Sequence, residues 1–335
     1  MRTDVLYAKT DEGVGLAVID VTNPAFAVRA SDAELAAMAE QYVREATAHR
    51  EIPAALREAL RNSMLGRGLL AATGTFLDGM STYLLKLGPE NLGDGATPID
   101  LRIAASFPAF AARIRLADMA RLLADGLALE GTAPLPRKIL LVNIGGGPAS
   151  DSWNALLVLN SKLHGELHAV NAELMAGLGV VIAVMDLDRR GPAFGARAID
   201  ALRATAAPLH GLDVRLRHFR YEWSEAHRLR DFLKELHASE AACGISSEGG
   251  LFEYGSDEEI VSNLAVLHAG TARDAFVVGS VTRDGGPVRA SLLANRVATR
   301  PRAIDGFRSL VSRAGWLVQE VIERPFSFHV RLDKA

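Results

Sequence analysis

A chain of 335 residues with 49% hydrophobic and 23% charged residues is long enough for one large domain or two medium ones around a substantial core. A formal net charge of −3 excludes a general attraction to nucleic acid or to an anionic membrane, and a small-molecule partner is favoured. The single cysteine, Cys243, excludes an intrachain disulfide and a cysteine zinc cluster, and within its apolar run it reads as a small buried residue.

The first residues lack the basic flank and apolar run of a signal peptide, and the longest apolar stretch, around 174–185, is too short to span a bilayer; the cytoplasm is therefore expected. Two strand-like runs, 5–9 and 15–21, are split by the turn-forming Asp11-Glu12-Gly13. Ser31 then opens a helical pattern, with Glu34 placed three residues later as in a capping box. A second helix is expected over 53–70 and a third over 103–129. Between them, the glycine- and proline-rich stretch 73–98 reads first as a surface connection. Its alternative is a segment that covers a site, with Tyr83 and Lys86 near glycine hinges.

After Pro134-Leu135-Pro136 the rhythm changes to strand then helix. Strands are expected at 139–144, 180–186, 214–219, 242–246 and 275–280, with helices at 151–177, 193–204, 225–237 and 257–267 between them. Such alternation makes parallel strands joined by right-handed crossovers. A helix at 303–313 is followed by strands at 316–323 and 326–332, separated only by Arg324-Pro325. That link is too short for a parallel crossover, so these two strands must pair antiparallel. The expected fold is α/β: a doubly wound seven-stranded sheet, five parallel strands plus a terminal antiparallel hairpin, with a mostly α-helical N-terminal cap over 1–133 and the sheet domain over 134–335.

The first strand of the sheet runs into Gly145-Gly146-Gly147-Pro148, where bare backbone and a helix N-terminus can meet a ligand. The turn has no P-loop lysine, and Ser150 stands where G-x-G-x-x-G requires its third glycine. The second strand ends on Asp186 and Asp188, and a carboxylate there can accept hydrogen bonds from both ribose hydroxyls; the plain alternative is a solvated strand end.

Together these stretches resemble a known family. Residues 139–151 resemble the first motif of the class I S-adenosylmethionine-dependent methyltransferases, Met-Asp-Leu-Asp at 185–188 resembles their ribose-binding strand end, and the terminal hairpin resembles their last two strands. The run ISSEGGLFEYGSDEEIVSNLAVL is similar to the fourth-strand segment of the small-molecule members, and the likeness spans residues 135–332. It implies S-adenosylmethionine as cofactor. It places Gly145, Gly146 and Gly147 against the methionine and ribose, Asp186 and Leu187 at the ribose, Tyr221 near the adenine, and Ser246, Ser247 and Glu248 toward the reacting end. Two departures stand out. Asn143 occupies a position where the family often has an acid that orients the cofactor's amino group, and the interval from Gly147 to Asp186 carries a helical insertion through HGELHAVNAELMAG.

Methyl transfer is an in-line displacement, so the protein mainly positions the nucleophile and removes its proton. Glu248 and Tyr254 are the candidates near the acceptor, with Tyr83 from the helical region; the plain alternatives are a brace for Glu248 and core packing for Tyr254. His164 and His168 lie four apart but have no third ligand in view, so no metal site is expected. Asn143 also suits a second chemistry on the same fold, closure of the cofactor's own amine onto its γ-carbon to azetidine-2-carboxylate with release of methylthioadenosine, or aminocarboxypropyl transfer. A free amine nucleophile should not be held by a carboxylate that keeps it protonated. A third expectation is a protein that retains S-adenosylmethionine without turnover. The expected partners are a small-molecule substrate or S-adenosylmethionine alone, with no nucleic acid and no membrane, and the apolar helical cap suits a homodimer.

Overall fold

The structure is a computed structural model that describes residues 2–48, 53–72, 74, 76–128, 138–166 and 179–335. Gly13, in the left-handed region at φ +80°, closes a short hairpin between β1 (Tyr7–Lys9) and β2 (Gly15–Ala17). Helix α1 (Asp32–Ala48) starts at the expected capping box, in which Ser31 N–H donates to Glu34 Oε2 at 2.7 Å.

The single helix expected over 53–70 is two, α2 (Ala54–Arg61) and α3 (Met64–Ala71). Ser63 breaks it, because its buried hydroxyl accepts from Gly66 N–H at 2.8 Å and caps a new helix. After α4 (Gly79–Lys86), the helix expected over 103–129 overlaps the last two residues of an unexpected α5 (Pro98–Ala104) and otherwise is α6 (Phe107–Leu127), with Ser106 at the N-cap and Pro108 in the first turn of α6.

In β3 (Lys138–Ile144), Ile139 and Leu141 enter one buried cluster while Leu140, Val142 and Ile144 enter the other, the period of two expected of a strand covered on both faces. Then follow α7 (Ser150–Glu166), β4 (Gly179–Asp186), α8 (Arg190–Arg203), β5 (Asp213–Arg220), α9 (Ala226–Glu235), β6 (Ala242–Ser247), α10 (Leu251–Tyr254), α11 (Asp257–Gly270) and β7 (Phe276–Thr282). The chain ends with α12 (Gly286–Ala294), α13 (Ile304–Ser312), β8 (Trp316–Glu323) and β9 (Ser327–Lys334). Helices α10 and α12 were not expected. The part of the predicted 151–177 helix beyond Glu166, with most of the insertion and His168 of the His164/His168 pair, lies outside the described residues.

The seven strands form one sheet in the order β5-β4-β3-β6-β7-β9-β8, with β3 parallel to both β4 and β6, and β9 antiparallel to both β7 and β8. Five parallel strands and an antiparallel terminal pair match the sequence reading, and the later strand of the hairpin is the one seated against β7. Helices α6, α7 and α8 cover one face, and α9, α11 and α13 cover the other. The N-terminal helices therefore do more than cap, because α6 shares its buried cluster with β3, β4 and β7. Asp118 on α6 accepts from Arg324 Nε and Nη2 at 2.8 and 2.9 Å and pairs with His329 Nδ1 at 2.7 Å, pinning the helix to the terminal hairpin. Cys243 is buried, and burial pushes its thiol up to about 12. No helix among the described residues is long and apolar enough to cross a membrane, and no group of three or more His, Cys, Asp or Glu among them could hold a metal ion.

Candidate functional site

Strand order reverses between β3 and β6, and in open α/β sheets ligands bind outside the carboxyl ends of the strands at such a point. Both strands run there into glycine turns. Gly145 and Gly147 take φ +66° and +54°, which lets the chain reverse while its N–H groups stay paired. Gly145 N–H donates to Met185 O at 2.8 Å, and Gly147 N–H donates to Asp186 Oδ2 at 2.8 Å. The other Asp186 oxygen accepts from Asp188 N–H at 2.9 Å, so this carboxylate ties the two strand ends together.

Above the turn lies a cavity of about 260 Å³. Its floor is the 145–148 turn. Its sides are the ends of β4, β5 and β6, through Met185, Asp186, Leu187 and Asp188, then Tyr221, Glu222 and Trp223, then Glu248 and Gly249. The remaining wall comes from the stretch that read first as a plain connection: Phe76, Asp78, Gly79, Thr82 and Lys86 all face the cavity. That reading is corrected in favour of its alternative. The reason is packing, since α4 starts directly on the glycine turn and a Cβ on Gly79 would stand 2.5 Å from Gly147 Cα.

Lys86 ends α4 and is buried, its Nζ 2.7 Å from Glu248 Oε2. Arg115 on α6 holds the other Glu248 oxygen at 3.2 Å and Glu253 at 3.3 Å, and Ser280 Oγ donates to Glu253 at 2.7 Å. Burial alone would lower the Arg115 guanidinium, but the Glu253 and Glu248 carboxylates outweigh it and raise it. The brace role for Glu248 is thus visible in the contacts. Tyr254 lines the cavity, and burial with nearby Glu253 pushes its hydroxyl up to about 12, so it stays protonated at neutral pH.

Other sequence-predicted residues lie elsewhere. Tyr83 does not face the cavity: it is fully buried against Phe194 and Trp153, donates to Ala17 O at 2.7 Å and accepts from Ile19 N–H at 3.1 Å, so both functions of its hydroxyl are used in packing β2. Tyr221 lines the cavity while its hydroxyl is committed to Asn263 at 2.5 Å. Asn143, Ser246 and Ser247 are buried beneath the turns rather than along the wall. Asn143 Nδ2 donates to Asp151 Oδ1 at 2.5 Å and to Ser246 Oγ at 2.9 Å, while Asn143 Oδ1, Asp151 Oδ2 and Ser247 Oγ have no partner.

Asp151, in the first turn of α7, went unread in the sequence. Burial, then the nearby Glu248 charge, raises it to about 6. Between its ordinary 3.8 and 6 the folded state keeps a proton that the unfolded chain has released, so stability falls as pH rises through that window. Asp151→Asn is therefore expected to stabilise the fold at pH 7 by up to about 3 kcal/mol, an advantage that shrinks to nothing near pH 4 in denaturant titrations. A less stable variant at pH 7 would show instead that the buried charge holds the turn.

The order of the sheet decides the architecture. Five parallel strands followed by an antiparallel last strand slotted between the fifth and sixth make the class I methyltransferase arrangement. The fold is theirs. No family model and no curated protein matches the chain. Among solved structures, a "possible exported protein" from Bordetella parapertussis is 19% identical, matches over 92% of this chain and 98% of its own, and superposes with a TM-score of 0.55. The pyocyanin biosynthetic protein PhzM is 17% identical over 92% of this chain and 74% of its own, with a TM-score of 0.44. The mitomycin 7-O-methyltransferase MmcR is 13% identical over 84% and 72%, with a TM-score of 0.43.

Residues that sequence reasoning missed are chiefly Trp223, whose indole would lie 3.2 Å from a Cβ on Gly145, and Asp78, which caps α4 by accepting from Ser81 N–H at 3.0 Å and faces the cavity. An aromatic two residues past Tyr221 was the available signal for the first. Asp-Gly before a helical run was the signal for the second.

Proposed function

We propose that the cavity binds S-adenosylmethionine and that the protein transfers its methyl group to a small molecule. The observation that carries this reading is the charge of the cavity. Among the described residues five carboxylates line it, from Asp78, Asp186, Asp188, Glu222 and Glu248, against one lining cation, Lys86, which is itself paired with Glu248. From outside the lining Arg115 pairs with Glu248, and the half-exposed Arg190 lies 3.5 Å from Asp188 and 3.9 Å from Asp78. A dinucleotide would bring its pyrophosphate to the α7 N-terminus, where the chain already places Asp151. A sulfonium with an ammonium group suits the same surroundings.

In this reading the 145–147 backbone lies along the methionine part. Asp186 spends two acceptor sites on Gly147 and Asp188 and keeps its remaining lone pairs for the ribose hydroxyls. Leu187 and Trp223 offer apolar surface to the adenine. Glu248, clamped between Lys86 and Arg115, positions the reacting end, and the protonated Tyr254 hydroxyl can hold the acceptor. The cytoplasmic expectation goes with this reading.

The test is calorimetric titration with S-adenosylmethionine, then incubation with the cofactor alone and with an acceptor panel, products being identified by mass spectrometry. Binding without turnover until an acceptor is present is expected, and Asp186→Ala should weaken binding about ten- to a hundredfold, the range for hydrogen bonds to a charged group. Methylthioadenosine appearing with a four-membered amino acid would replace methyl transfer by cyclisation, and with an aminocarboxypropylated acceptor by that transfer. Binding with no product from any acceptor would favour simple retention. Absence of binding would end the cofactor reading.

A further inference from the structure

Lys86 borders a second cavity, of about 190 Å³, on the side away from the glycine turns. Its walls are apolar, from Val21, Phe26 and Val28 of the segment after β2 and Leu116 of α6, and its second cation is Arg113, also on α6. The two cations differ in one respect. Lys86 is neutralised by Glu248 at 2.7 Å, whereas Arg113 Nε is buried and has no hydrogen-bond partner. Arg113 stacks over the Phe110 ring at 5.1 Å, and the carboxylate that acts on it, Glu90, is exposed and so screened by water. Arg113 is half-buried, and burial lowers its guanidinium while Glu90 offsets part of that. An apolar cavity bordered by a half-buried guanidinium whose Nε lacks a partner is the pattern of a site for a small apolar molecule bearing a single anionic group. A phosphate dianion would require more uncommitted positive charge than Arg113 alone supplies.

We propose that this second cavity binds a small apolar carboxylic acid, with the carboxylate on Arg113 and the hydrocarbon part against Phe26 and Leu116. The two cavities adjoin at Lys86, which lines both, but Tyr254 lines only the first, so the acid is not assigned to the methyl-transfer reading. Its binding does not rest on that reading.

The experiment uses the whole protein and titrates 3-phenylpropanoate, octanoate and the neutral 3-phenylpropanamide, by calorimetry and ligand-observed NMR. At least about tenfold preference for an acid over the amide is expected, and Arg113→Gln should abolish that preference. Ala117→Leu, which fills the cavity from α6 without touching a charge, should weaken acid and amide together. Asp186→Ala should still bind the acid while losing affinity for S-adenosylmethionine, so the two assignments fail separately. Equal binding of acid and amide, an Arg113→Gln protein that keeps the preference, or no acid binding at millimolar concentration would each overturn the proposal.

Discussion

Lys86→Met is expected to destabilise the protein by about 3–5 kcal/mol, the range for removing one partner of a buried ion pair. The Lys86 and Glu248 side chains are 5% and 4% exposed, so water cannot take over the lost contact. Arg115 stays at 3.2 Å from the other Glu248 oxygen, which places the effect toward the lower end. Because breaking the pair costs more than the pair is worth, Lys86→Met combined with Glu248→Gln should recover most of the loss. Urea unfolding followed by circular dichroism measures both. A loss under about 1 kcal/mol in the single variant would mean that the pair behaves as a solvated one. The same substitution loosens α4 from the β6 end, so affinity for S-adenosylmethionine should fall with stability.

Gly147→Ala should reduce that affinity about a hundredfold or more, through two effects that can be separated. At φ +54° any side chain costs roughly 1–2 kcal/mol in backbone strain. In addition, the new Cβ would stand 2.6 Å from Gly79 Cα, so α4 must move off the turn it closes. Gly13→Ala provides the comparison. It carries the same kind of strain at φ +80° with nothing within 4 Å, and should cost roughly 1 kcal/mol of stability and leave cofactor binding unchanged. If Gly147→Ala bound the cofactor as well as the parent chain, neither the turn nor its contact with α4 would belong to a cofactor site.

The elements of the sheet were legible because each rests on neighbours in sequence. The near-continuous apolar run from 139 to 144 marks a strand buried on both faces, and the short link after Glu323 admits only an antiparallel return. Helix breaks were less legible where the apolar pattern ran on. Ser63 and Ser106 interrupt α2/α3 and α5/α6, and periodicity alone carried each prediction across its break. The glycine turn and the aspartate at the end of β4 were readable as a ligand surface, since bare backbone and a strand-end carboxylate are local features. Tyr83 was misread for the same reason: nothing nearby in sequence shows that Ala17 and Ile19 take its hydroxyl.

The sequence by itself determined the order of the strands, the antiparallel ending and the place of the glycine turn, all of which follow from patterns within a few residues. Only the tertiary structure decided the roof and the charge. Lys86 meets Glu248 across 162 positions and Arg115 meets it across 133, and Gly79 rests on Gly147 from another part of the chain. Such contacts have no local signature, because burial makes them strong and burial is set by how distant elements pack.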